Sequence, residues 1–129
     1  MRKVLVDTNV FIRFLLNDIP AQVEKAEELF YKAKKGIIEI IIPEIVIFEI
    51  EFILSKYYGL PKTSIVEKIN SILSQEYFTV EYKNVFLKSI AIYQKEKLSL
   101  VDCFLLAKAN IEELELFTFD KKIGKNKLS

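Results

Sequence analysis

The chain has 129 residues, of which 51% are hydrophobic and 29% charged, with a net charge of +1. That balance describes one folded domain with a sizeable core, neither disordered nor membrane-like, and it leaves no general basic field to hold a polyanion. One Cys and no His exclude an intrachain disulfide, a Cys/His zinc site and any histidine-dependent triad or general base.

The chain opens with Val4-Leu5-Val6, a short buried strand that ends on Asp7 and is followed at once by Thr8 and Asn9. Phe11, Ile12, Phe14, Leu15 and Leu16 predict a short helix ending near Asn17-Asp18, with Thr8 or Asn9 as its cap. Pro20 suits the first turn of a second helix, whose apolar stripe is Val23, Ala26, Phe30 and Ala33. Gly36 is placed to end it.

Ile37 to Ile42 reads as a buried strand stopped by Pro43. A helix from about Glu44 to Tyr58 follows, closed by Gly59. Glu49 shares a face of that helix with Ile45 and Ile53. A carboxylate there is costly unless paired or liganded. The helix carries more apolar surface than one small core needs, which points to dimerisation. The run Ile37 to Ile50 is interrupted by Glu39, Pro43, Glu44 and Glu49, and it falls short of the ~20 apolar residues a membrane span requires. The N-terminus has no apolar core of the signal-peptide kind. A reducing, cytoplasmic setting is expected.

Ser64 is expected to open the next helix, with Glu67 at capping-box spacing. Phe78, Val80 and Tyr82 alternate with Thr79 and Glu81, as in a half-exposed strand. Asn84 is the expected cap of a helix bearing Phe86, Ile90 and Tyr93. Ser99 and Asp102 repeat the capping-box spacing ahead of an apolar helix through Ala109. Leu114 to Phe119 reads as a last strand ending on Asp120, followed by Lys121, Lys122, Lys125 and Lys127. Strands alternating with helices give an α/β fold with a mostly parallel sheet and helices on both faces.

In such sheets ligands bind beyond the carboxyl ends of the strands. Of the four Asp, Asp7 and Asp120 follow predicted strands and Asp102 lies in the first turn of an apolar helix. Asp18 reads as a turn residue. Each acid also has a plain structural reading. Asp7 and Asp102 suit helix N-termini, Asp120 a turn beside Lys121, and Glu49 an interior ion pair. Taken together, four converging carboxylates would repel one another unless a divalent cation were present. An oxygen-only donor set points to Mg²⁺ or Mn²⁺ and suits phosphodiester hydrolysis.

Val6-Asp7-Thr8-Asn9, Pro43 to Leu54 with its Glu49, Leu100-Val101-Asp102 followed by Ala107, and Thr118-Phe119-Asp120 stand in an order that resembles the PIN domains. Within that family the chain is similar to the VapC-type toxins of toxin–antitoxin pairs. The resemblance covers residues 1–129 as a single domain. It implies a three-layer α/β sandwich whose central sheet has about four to five strands. It also implies metal-coordinating and catalytic acids at Asp7, Glu49, Asp102 and Asp120, supported by Thr8, Asn9 and Thr118. The implied activity is Mg²⁺- or Mn²⁺-dependent endoribonuclease cleavage leaving a 5′-phosphate. The implied partners are RNA, a cognate antitoxin and a second copy of the chain. The tail after Asp120 is short, so a final strand is expected to be missing or abbreviated. Arg13, Lys121 and Lys122 are candidate phosphate contacts, or else a solvated basic surface.

Two other enzyme classes fit less well. A phosphatase of the haloacid-dehalogenase type needs a second Asp where this chain has Asn9. A response-regulator receiver needs an Asp after its middle strand, and Phe78 to Lys83 offers none. The alternative from another class is a non-catalytic PIN module that binds RNA or a protein partner.

Overall fold

The computed structural model describes residues 1–127, arranged as two compact units, Met1–Glu81 and a second from Tyr82 onward. The first unit is built on a parallel sheet of β1 (Arg2–Leu5), β2 (Ile38–Ile42) and β3 (Phe78–Val80), in the order β1-β2-β3. Helices flank it: α1 (Thr8–Leu16) and α2 (Pro20–Lys34) connect β1 to β2. The return from β2 to β3 runs through α3 (Glu44–Phe52), a π-turn (Ile53–Tyr57) and α4 (Lys62–Leu73).

β2 is the central strand, and its Ile38, Ile40 and Ile42 are buried. Phe11, Ile12, Ile47, Ile50, Leu54, Ile69 and Leu73 of the flanking helices are likewise essentially inaccessible. Phe11, Phe30 and Phe78 form an aromatic cluster, with Phe14 set edge-on against Phe30.

Helix boundaries follow local chemistry in part. Pro20 stands at N1 of α2, where its missing N–H costs nothing. Gly36, at φ 75°, closes that helix in a Schellman turn. Its N–H donates to the Ala33 carbonyl at 3.0 Å, and the Ile37 N–H to that of Lys32 at 2.9 Å. Gly59 is also left-handed, at φ 62°, just after the π-turn. Pro61, not Ser64, caps α4, and neither Thr8 nor Asn9 caps α1, where Asp7 holds that position.

The second unit contains α5 (Lys83–Lys95), α6 (Leu100–Ile111) and α7 (Lys121–Lys125), with α5 packed on α6. Tyr82, at φ 57°, rather than Asn84, caps α5. Ser99 Oγ accepts the Asp102 N–H at 3.1 Å, so the expected cap of α6 is present. Phe86 and Phe104 pack against each other inside the unit.

The sheet has three strands among the described residues rather than four to five. Leu114 to Phe119 forms no strand. Alternating apolar residues make a strand only when a neighbour completes the backbone ladder. Here Phe117 and Phe119 lie edge-on to each other at 5.3 Å and remain mostly exposed. No helix among the described residues is long and apolar enough to cross a membrane.

Candidate functional site

The parallel register sets the site. Leu5 lies opposite Ile41, so Val6-Asp7 and Ile42-Pro43 leave the sheet side by side at its carboxyl end. Each strand turns at once into a helix, with Asp7 and Pro43 in extended conformation as the caps of α1 and α3. The Asp7 carboxylate makes no capping bond, and the residue is exposed.

Glu49 lies in the second turn of α3, on its exposed side with Ile45. The shared face expected from the sequence is therefore turned to solvent. The buried side of α3 carries Val46, Ile47 and Ile50. Thr8, itself buried, donates its hydroxyl to Glu49 Oε1. This bond fastens the first turn of α1 to α3, and the two helices pack directly. It orients one Glu49 oxygen. Neither Glu49 Oε2 nor the Asp7 carboxylate accepts a hydrogen bond among the described residues. Asn9 makes no bond to Asp7 among them either, and it lines clefts along α1.

The second unit holds the other two acids. Asp102 is half-buried in the first turn of α6, where the helix dipole favours a carboxylate. Asp120 caps α7: its Oδ1 accepts from Lys122 N–H at 2.8 Å and from Ile123 N–H at 3.2 Å. The Asp120 N–H in turn donates to Thr118 Oγ1 at 3.0 Å, so Thr118 fixes the backbone of this acid. Lys121 and Lys122 are exposed at the start of α7.

Within either unit, no group of three or more acids or Cys stands together among the described residues as a metal cage. The structure thus links Asp7 and Glu49 through Thr8, while Asp102 and Asp120 belong to the other unit. Asp7 and Glu49 each keep carboxylate oxygens that accept no hydrogen bond among the described residues, and such oxygens are the donors a hard cation takes. Mg²⁺ keeps several waters and is held by one or two carboxylates together with substrate phosphate.

Arg13 is not a free phosphate contact. Its Nη1 pairs with Asp18 Oδ2 at 2.7 Å, and its Nη2 donates to the Tyr58 hydroxyl at 2.5 Å. Its Nε is buried without a hydrogen-bond partner. The side chain therefore braces α1 against the π-turn. Nothing in the sequence announces this, since Arg13 and Tyr58 lie 45 residues apart.

Replacing Thr8 with Val keeps the buried volume and removes the hydroxyl. We expect a loss of about 1 kcal/mol in urea unfolding, the net worth of an ordinary hydrogen bond. A variant as stable as the parent would mean that the Thr8–Glu49 bond contributes nothing to the fold.

The PIN domain family matches residues 4–127. The chain is also 30% identical over 122 residues to the VapC ribonuclease of Aquifex aeolicus (strain VF5), which covers 94% of this chain and 90% of that protein. No solved structure gives a significant match. A match spanning both units, on a parallel α/β frame with Asp7 at its carboxyl end, means that the chain belongs to the PIN domain family.

Proposed function

We propose that this protein is a metal-dependent endoribonuclease and acts as the VapC-type toxin of a toxin–antitoxin pair. The observation that carries this reading is the Thr8–Glu49 bond beside Asp7, at the carboxyl end of parallel strands, in a chain similar to a VapC ribonuclease. Asp7, Glu49, Asp102 and Asp120 are the carboxylates proposed to hold Mg²⁺ or Mn²⁺. When bound, such a cation supplies Lewis acidity for phosphodiester hydrolysis. Thr8 orients Glu49. Thr118 positions Asp120, whose Oδ1 is committed to capping α7 and whose Oδ2 faces no such demand. Lys121 and Lys122 supply exposed positive charge toward RNA phosphates. A cognate antitoxin and a second copy of the chain are the proposed protein partners, in a cytoplasmic setting. The exposure of Ile45 on α3 supports an apolar contact of that kind.

The test is cleavage of structured and single-stranded RNAs by the purified protein with Mg²⁺, Mn²⁺ or EDTA, paired with thermal melts in the same buffers. We expect cutting with either metal and none in EDTA. We also expect a higher melting temperature with metal, because a ligand bound only by the folded state stabilises it. No cutting anywhere, with an EDTA melt no lower than the Mg²⁺ melt, would make the protein a non-catalytic PIN module.

A further inference from the structure

The charge of the chain is unevenly divided. The first unit carries ten Lys and Arg against twelve acids, and the second nine Lys against six acids. Within the second unit, α5 and α7 hold three Lys each and no acid. A cleft of about 270 Å³ lies between α5 and Asn126, the residue that closes α7. Its α5 wall is Lys88, Ala91, Ile92 and Lys95, which follow helical spacing and so form one face, with a lysine at each end. Lys88 is half-buried, and its Nζ donates to Asn110 Oδ1 of α6. That partner is neutral. An ammonium drawn partly out of water and held by an amide alone keeps a charge that its surroundings do not balance. Neither Lys88 nor Lys95 makes an ion pair among the described residues.

We infer that this cleft of the second unit is an anion site that holds a backbone phosphate of the RNA, apart from the carboxylates. The inference rests on the proposed ribonuclease function, which identifies the polyanion, and adds a contact surface formed by Lys88 and Lys95. The chemistry of the wall fits a phosphate and not a base. Among the described residues no aromatic ring lines it, so nothing there stacks on a base. Two ammonium groups face one acid, Glu96, and outweigh it. Lys88 is held by Asn110, so less side-chain freedom is lost when an anion arrives. Lysine contacts to phosphate fix the register of a strand and read no sequence. The cleft also lies within reach of an acid in its own unit. Asp120 caps the start of α7 and Asn126 ends it, a span of about 9 Å at 1.5 Å per residue. A stacked strand advances about 3.4 Å per phosphate, so a phosphate about two or three nucleotides from one near Asp120 reaches the cleft.

The test uses Asp7→Asn protein with Mg²⁺, so that RNA binds without being cut. Two fluorescein-labelled RNA hairpins with unpaired flanks, of unrelated sequence, are titrated by anisotropy across a series of salt concentrations. Each lysine–phosphate contact contributes about 0.7–0.9 to the slope of log affinity against log salt. Adding Lys88→Gln and Lys95→Gln together is expected to weaken both RNAs alike and to lower that slope by about 1.5. Lys95→Gln alone, at an exposed position that cannot unfold the chain, is expected to lower it by about half as much, and melts check the fold of each variant. Lys34→Gln with Lys56→Gln removes the same charge from exposed positions of the first unit and is expected to leave the slope unchanged. An unchanged slope in both cleft variants, with RNA still bound and still cut by the parent, would overturn the anion site and leave the ribonuclease reading intact. An equal fall in the first-unit pair would mean that net charge alone sets affinity, and would overturn the site as well. Failure of the folded protein to bind or cut any RNA would overturn both readings. A melt raised by inorganic phosphate in the parent but not in the double variant, with RNA affinity the same in both, would make the cleft a free-phosphate site and refute the backbone contact.

Discussion

Asp7→Asn should abolish RNA cleavage and leave the fold standing. Asp7 is exposed, and its carboxylate caps nothing in α1. Asn is as good an N-cap residue as Asp, and the extended backbone at φ −68° and ψ 148° suits both. Stability should therefore stay within about 0.5 kcal/mol of the parent. Activity is another matter. An Asn amide keeps the shape of the carboxylate but removes the charge that holds a divalent cation. Cation stabilisation of a phosphoryl transition state is worth several kcal/mol, and each ~1.4 kcal/mol is tenfold in rate. We expect turnover to fall about 1000-fold or more, measured on one defined RNA with Mg²⁺ at saturation. Turnover within a few-fold of the parent, at an unchanged melting temperature, would remove Asp7 from the mechanism.

Asp7 is also where the sequence was most informative. The strand before it, Arg2–Leu5, is largely exposed rather than buried, with Leu5 at 72%, but its place just before the acid was legible from a local pattern. The same holds for Pro20 at the start of α2, Gly36 in the turn after it, and Ser99 capping α6, because each depends on a backbone requirement within a few residues. What depended on distant partners was hidden. Thr8 was a plausible cap by propensity, but its hydroxyl goes to Glu49, 41 residues away. Glu49 was misplaced for a related reason. α3 is apolar nearly all round, so periodicity could not tell the buried side, Val46, Ile47 and Ile50, from the exposed side carrying Ile45 and Glu49. Leu114 to Phe119 had the alternation of a strand, but alternation does not supply a neighbour. The π-turn at Ile53–Tyr57 left no trace in composition.

The same long-range logic predicts the largest loss of stability, at Phe11→Ala. Phe11 is fully buried on α1, stacked on Phe30 at 5.6 Å and edge-on to Phe78 at 5.7 Å. Phe30 and Phe78 also touch each other, at 5.0 Å, so Phe11 closes a three-ring cluster that joins α1, α2 and β3. Truncating it removes a large transfer free energy and leaves a void that two stiff rings cannot fill. Such changes cost about 3–5 kcal/mol, against a total of roughly 5–15 kcal/mol for a natural domain. Phe11→Leu, which refills most of the volume, should cost less than half as much. The effect reaches the site because Phe11 sits one turn after Thr8, on the helix whose first turn holds Glu49. Loosening α1 should therefore lower activity even at temperatures where the variant is still folded. Urea unfolding followed by far-ultraviolet circular dichroism measures the first effect, and cleavage assays well below the transition measure the second. A loss under about 1 kcal/mol would mean that the aromatic cluster repacks freely and does not anchor α1.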